Sequence, residues 1–277
     1  MRELCALAGM SKQNFYKEKR ARERRAVDEA LVADLVRSER KEQPWLGGRK
    51  LRVVIAAELE EAGVSLGRDR FFELLGRHNL LITRRRRSGP RTTDSRHGFR
   101  VYENLLKSLE LQGPHEAWVS DLTYLRTREG FVYLALVMDA WSRKIVGWHV
   151  GETLEALGCV AALRMALRQL PEDARPIHHS DRGTQYCCGD YVGLLESRKL
   201  RISMTQENHC YENGKAERLN GILKQEYGLG GEFARKAEVG LAVRQAVALY
   251  NERRPHTALG YRTPAAMHMA AGAPVAA

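Results

Sequence analysis

The sequence predicts an α/β fold, a mixed five-stranded sheet flanked by helices and preceded by a helical region. Three observations carry this expectation. Residues 117–150 hold three strand-like runs separated only by short turns, the pattern of an antiparallel meander. Beyond residue 153 the order becomes helix, strand, helix, strand, helix, which puts helices on both faces of a sheet. Before residue 80 apolar residues recur at helical spacing and glycine or proline clusters interrupt them.

Residues 1–25 begin with Leu4, Leu7 and Met10 at helical spacing, turn near Gly9 and resume at Ser11, a natural N-cap. This outlines a helix-turn-helix whose second helix carries Lys12, Gln13, Lys17 and Arg20, side chains suited to phosphates and base edges. A solvated basic helix is the alternative. Residues 26–40 read as an amphipathic helix with Val27, Ala30, Leu31, Leu35 and Val36 on one side, broken by Pro44-Trp45-Leu46-Gly47-Gly48. A second helix pair is expected over 51–61 and 69–78, with Arg68, Arg70 and Arg77 placed to face DNA unless the pair only braces the core. The run Arg84, Arg85, Arg86, Arg87 ends in Ser88-Gly89-Pro90 and reads as an interdomain linker that also tracks phosphates.

The sheet is expected to start with a strand over 117–126, rich in β-branched and aromatic residues. A second strand over 131–138 is apolar throughout, so both its faces should be covered. A third spans 144–150. A helix over 153–170 is stopped by Pro171, a short strand follows at 177–180, then a helix at 190–199 and a strand at 200–204. The polar stretch 205–210 reads as a loop. A helix starting near Asn213, a plausible N-cap, places Ala216, Leu219, Leu223 and Tyr227 in an apolar stripe and Asn213, Glu217, Gly221 and Lys224 on another face. The tail is expected to be helical over 232–254 and frayed beyond 265. The expected organisation is a helical DNA-binding region over 1–83, a basic linker over 84–115, a core over 116–230 and a C-terminal helix and tail over 231–277.

Three acidic residues carry the chemistry. Asp121 sits mid-strand on the face of Val119, Thr123 and Leu125, where an ionised carboxylate is costly unless a cation or hydrogen bonds compensate it. Asp181 stands where an apolar run stops at an Arg-Gly turn, and Glu217 projects from the helix after Asn213. A strand Asp, a strand-end Asp and a helical Glu are the parts needed to hold two divalent cations for phosphoryl transfer. Asp139 is a fourth acidic residue at a strand end, but it lies in a tight hairpin where Asp commonly satisfies backbone groups.

Composition agrees with a polyanionic partner. The net charge is +11 and the pI about 9.6, and residues 1–100 hold 24 Lys and Arg against 14 Asp and Glu. There is no run of eighteen apolar residues and no signal-peptide pattern, so no membrane partner is expected and the location is read as cytoplasmic, with the nucleoid. Five cysteines without a C-x-x-C pair argue against a disulfide framework or a zinc ribbon. His178-His179 with Cys187-Cys188 is a poor zinc pattern because adjacent ligands chelate badly in tetrahedral geometry.

Asp121 within Trp-Val-Ser-Asp-Leu-Thr-Tyr, Asp181 within His-Ser-Asp-Arg-Gly-Thr-Gln-Tyr and Glu217 within Glu-Asn-Gly-Lys-Ala-Glu-Arg-Leu-Asn-Gly resemble the acidic triad of retroviral-integrase-type transposases. Thirty-five residues lie between Asp181 and Glu217, the interval characteristic of that group. The likeness is strongest to the second-reading-frame transposases of the insertion-sequence-three family, and Tyr250 to His256 with Tyr261 to Pro264 resembles their closing motif. The resemblance implies a ribonuclease-H-like sheet, two Mg²⁺ or Mn²⁺ ions on Asp121, Asp181 and Glu217, and cleavage and joining of double-stranded DNA at element ends and target. It implies that Lys224, Lys215 and Arg218 bind the DNA backbone and that the chain works as a homo-oligomer, with an upstream-frame partner or fused segment. Two rivals fit the same residues: a nuclease that cuts without joining, and a catalytically silent DNA-binding regulator.

Overall fold

Ser11 opens the first helix, α1 (Lys12–Glu42), with its hydroxyl accepting the Asn14 N–H at 3.1 Å. The structure, a computed structural model, describes residues 9–82, 98–206 and 213–270. They belong to two compact units, residues 1–83 and 84–277. Leu4 and Leu7, the expected first helix of the N-terminal helix-turn-helix, and Arg84, Arg85, Arg86 and Arg87 lie outside the described residues.

In the first unit, α1 runs unbroken where the sequence predicts two helices, because no glycine or proline occurs between Lys12 and Glu42. The expected apolar stripe is also corrected. Val27 is 68% exposed and Ala30 exposed, while Val32, Ala33 and Val36 are buried. Only the second half of the helix meets the unit's core, in which Val32, Val36, Leu46, Leu51, Phe71, Leu74 and Leu75 cluster. The helix expected over 51–61 is two, α2 (Gly48–Val54) and α3 (Ala56–Glu61), divided at Ile55. The division follows the β-branched run Val53-Val54-Ile55, which helices accommodate poorly. The partner helix is α4 (Arg68–Arg77).

The second unit is built on β1 (Ala117–Thr127), β2 (Gly130–Asp139) and β3 (Ile145–Gly151), the expected antiparallel meander. Next come α5 (Ala156–Arg168), β4 (Ile177–Ser180), α6 (Thr184–Cys187), α7 (Gly189–Ser197) and β5 (Arg201–Met204). The strand order is β3-β2-β1-β4-β5, with β4 and β5 parallel to β1, the ribonuclease-H-like arrangement. After α8 (Gly214–Glu226) comes a short strand where the sequence predicts helix, β6 (Glu232–Phe233), which pairs with Arg126 and Thr127 at the far end of β1. The tail helix is therefore shorter than expected, α9 (Lys236–Glu252), and α10 (Pro264–Ala270) closes the unit.

Strand alternation sorts the core into two layers. Val119, Leu125, Leu134 and Leu136 face α8 and α9, meeting Leu219, Leu223, Val239 and Val243. Trp118, Ala135, Val137 and Val146 face α5 and α7, meeting Leu163, Ala166 and Leu195. β3 and α5 pack so closely that a Cβ on Gly147 would collide with the Ala162 carbonyl oxygen. Leu105, Leu106 and Leu111, ahead of β1, pack on the first layer, and Leu105 donates its N–H to Ser203 Oγ at 2.9 Å.

Candidate active site

The site forms where the sheet leaves an edge open. Among the described residues, the β4 side of β1 is paired at Ala117–Val119 and again, by β6, at Arg126–Thr127, with no strand between. Helix α8 lies across this gap and fills it with polar side chains. Asn213 Nδ2 donates to the Ser120 carbonyl at 3.1 Å, Asn220 Nδ2 to Asp121 Oδ2 at 2.6 Å, and Lys224 Nζ to Thr123 Oγ1 at 2.6 Å. Asn213 does occupy the N-cap position, but its side chain caps nothing and serves the sheet edge instead.

Asp121, half-buried on β1, has its carboxyl pushed up to about 7. Burial is the main cause and the neighbouring Asp181 the second, with Glu217 adding a smaller push; hydrogen bonds from Asn220 and the Leu122 backbone oppose them. Asp181 and Glu217 thus both lie near enough to Asp121 to act on its charge. Asp181, just past β4, accepts the Gly183 N–H at 3.0 Å. A Cβ on Gly183 would sit 3.1 Å from both Asp181 Oδ1 and Gln185 Oε1, a tight contact that would push on this carboxylate. Glu217 stands on the exposed face of α8 at the rim.

Among the described residues no three His, Cys, Asp or Glu side chains stand close enough to hold a metal ion as they are. The donors are nevertheless hard carboxylate oxygens, which suit Mg²⁺ or Mn²⁺, and the mutual repulsion at Asp121 is the kind a cation relieves. Asn220 Oδ1 is buried without a hydrogen-bond partner beside them.

Asp139 takes the turn position the sequence predicts. Its Oδ1 accepts the Ser142 N–H and hydroxyl, both at 2.8 Å, and its Oδ2 the His115 N–H at 2.7 Å. Beneath the site, His178 Nε2 lies 2.8 Å from both Ser120 Oγ and Tyr191 OH, and His179 Nδ1 lies 2.8 Å from Ser203 Oγ. Burial, with His179 adding, holds His178 down to about 3. Cys187 directs its sulfur at Met204 Sδ, 3.8 Å away.

The predicted DNA-binding residues fall in several places. Lys224 is half-buried at the site, its ammonium lowered mainly by burial while Asp121 raises it. Lys215 and Arg218 are exposed on α8, with Lys215 Nζ 3.5 Å from the Ala140 carbonyl. In the other unit Lys12, Gln13, Lys17, Arg68, Arg70 and Arg77 are exposed, with Arg68 tied to Asp69 at 2.8 Å and Arg77 to Glu29 at 2.9 Å. Sequence reasoning assigns no role to Asn220. The available signal is its spacing, seven residues after Asn213 and three after Glu217, which returns it to the face of α8 nearest β1.

Comparison with known proteins identifies the group. Family models described as integrase core domain match residues 112–210 and 198–264. A protein of insertion element IS600 from Shigella sonnei is 35% identical over 95% of this chain and 96% of its own length. Transposase InsF of insertion sequence IS3A from Escherichia coli K12 is 38% identical over 61% of this chain, and the match spans 59% of InsF. The chain belongs to the insertion-sequence-three family of transposases. Among solved structures, the HTLV-2 integrase catalytic core domain in complex with magnesium aligns over 56% of this chain and 97% of its own, with a TM-score of 0.45 and 18% identity. Family membership assigns the chain to DNA transposition, and the matched core residues include all three acids.

Proposed function

We propose that this chain cleaves and joins DNA strands at the ends of its insertion sequence by metal-dependent phosphoryl transfer. The observation that supports the reading is that Asp121, beside the open edge of β1, feels the charge of both Asp181 and Glu217, in a chain of the transposase family. Held by these three carboxylates, two Mg²⁺ or Mn²⁺ ions would supply Lewis-acid stabilisation of the attacking and leaving oxygens. The reaction is hydrolysis of a phosphodiester, water adding at phosphorus as the 3′-oxygen leaves as a free hydroxyl, followed by attack of that hydroxyl on a second phosphodiester, whose own P–O3′ bond breaks to release a new 3′-hydroxyl.

The chain's own residues organise this chemistry. Asn220 orients Asp121 through its 2.6 Å hydrogen bond, and the Gly183 N–H fixes Asp181. Lys224, Lys215 and Arg218 bind the backbone of the cut strand as charges on phosphate. Lys12, Gln13, Lys17, Arg68 and Arg70, exposed in the N-terminal unit, grip the element's ends together with the arginines at 84–87. The working form is a homo-oligomer on double-stranded DNA, with an upstream-frame partner or fused segment, acting on the nucleoid in the cytoplasm.

The test is a cleavage and joining assay on element-end duplexes with Asp121→Asn, Asp181→Asn and Glu217→Gln. Each variant should lose both reactions while keeping most of its DNA affinity. Cleavage that survives any one change in Mg²⁺ removes that residue from the site. Wild-type cleavage without joined product assigns a nuclease instead, and binding with neither reaction a regulator.

A further inference from the structure

Phe131 opens β2 with 47% of its surface exposed, the only aromatic of that strand so placed. From Val132 onward the strand is buried or half-buried, so the exposure is confined to this one ring. Its cross-strand partner is Arg126, exposed and without an ion-pair partner among the described residues. Behind it stands Tyr124, edge to face with Phe131 at 5.3 Å between centroids and 82° between planes. Lys224 Nζ lies 4.5 Å from the centre of the Tyr124 ring while donating to Thr123 Oγ1.

Tyr124 and Thr123 point to opposite faces of β1, yet one ammonium reaches both, because the strand edge there is open. That edge is a passage from the acidic cluster to the aromatic pair. Asp121 and Arg126, the cross-strand partner of Phe131, are five residues apart, about 17 Å along the strand. This is about five nucleotides of stacked DNA. Arg126, across the strand pair from Phe131, and Lys224, over the Tyr124 ring, are two positive charges beside the aromatic pair.

We propose that Phe131, braced by Tyr124, is a stacking platform for an unpaired base of the DNA strand at the acidic cluster, with Arg126 and Lys224 taking the adjoining phosphates. An exposed aromatic pair with two cations beside it matches a nucleotide, an apolar plane attached to anionic groups, and aromatic stacking accepts any base. This assignment rests on the strand-transfer reading above. It adds that the DNA near the cut is held open on the protein.

The test uses the full chain and a short forked duplex carrying 2-aminopurine in its unpaired arm, compared with a blunt duplex of the same sequence, in EDTA. The wild type should quench the aminopurine and prefer the fork. Phe131→Ala should lose the quench and weaken fork binding by about tenfold, with blunt-duplex affinity and salt slope unchanged because no charge is removed. Phe131→Trp should retain both. Equal fork affinity in the wild type and Phe131→Ala overturns the platform, as does a wild type with no preference for the fork. Fork preference kept by Phe131→Ala together with loss of self-association in sedimentation makes the ring a protein contact and likewise overturns it. The two readings fail separately: absence of cleavage and joining in the wild type sinks strand transfer, whereas the fork measurement in EDTA addresses the platform alone.

Discussion

Asp121 and Asp139 lie on paired strands, nearly opposite in charge environment. Asp139 commits its oxygens to three short hydrogen bonds from Ser142 and His115, so its carboxylate is structural. Asp121 is half-buried against like charge and held chiefly by Asn220. Opposite mutational outcomes should follow. Asp139→Ala should destabilise the fold by about 1–3 kcal/mol, the cost of stranding buried donors, read by urea unfolding. Asp121→Asn should leave metal-free stability equal or higher, because it removes repulsion, and should abolish the stabilisation that Mg²⁺ confers on the wild type. A large metal-free loss for Asp121→Asn would mean the carboxylate is structural after all. Asn220→Ala should reduce Mn²⁺ affinity by about tenfold as the ligand beside it loses its orientation, measured by calorimetry; unchanged affinity would reduce Asn220 to packing.

At the scale of elements, α8 is fixed at both ends by partners distant in sequence. Its last turn carries Glu226, which accepts a two-pronged hydrogen bond from Arg254 at 2.8 and 3.0 Å in the interior. Arg254 also meets His256 Nε2 at 2.8 Å, and Asn251 hydrogen-bonds both the N–H and the carbonyl of Ile145. The closing motif thus clamps the Glu217 helix to the sheet. Arg254→Ala should cost about 3–5 kcal/mol, since it strands a buried carboxylate; a loss below about 1 kcal/mol would show that the clamp is dispensable. A second element-level effect joins β1, β4 and α7 through Ser120, His178 and Tyr191. His178 is held down to about 3 in the fold, against about 6.5 when unfolded, so the unfolded chain binds the extra proton. The resulting stability is fully present above pH 6.5 and drains away as pH falls towards 3, at about 1.4 kcal/mol per pH step. His178→Gln should flatten that part of the stability curve, which denaturant titrations at neutral and acid pH can read.

Across the whole molecule the charge is unevenly divided. Residues 1–100 hold a surplus of 10 positive charges out of the net +11, leaving the rest of the chain nearly neutral around its acidic site. DNA affinity should therefore fall steeply with salt through the N-terminal residues. Replacing Lys12, Lys17 and Arg68 together by alanine should flatten the slope of log affinity against log salt by about 0.9 for each phosphate no longer neutralised. An unchanged slope would move the electrostatic footprint to the core.

The strands and their succession along the chain are legible in the sequence because β-branched runs and turn residues act locally, and the bounds of β4 are those the sequence predicts. The three acids are legible because their motifs and interval are properties of the chain itself. What the sequence does not supply is anything set by long-range pairing. β6 is two residues long and exists because β1 offers it an edge. The buried stripe of α1 depends on which half of the helix meets the core. Asn220 and Asn213 resemble ordinary helix-surface and capping residues until the fold brings them against β1, ninety-nine and ninety-three positions away. Local propensity determines which segments become strands and helices. Only tertiary packing decides which polar side chains must satisfy an open sheet edge, because that demand comes from backbone groups left unpaired by distant strands.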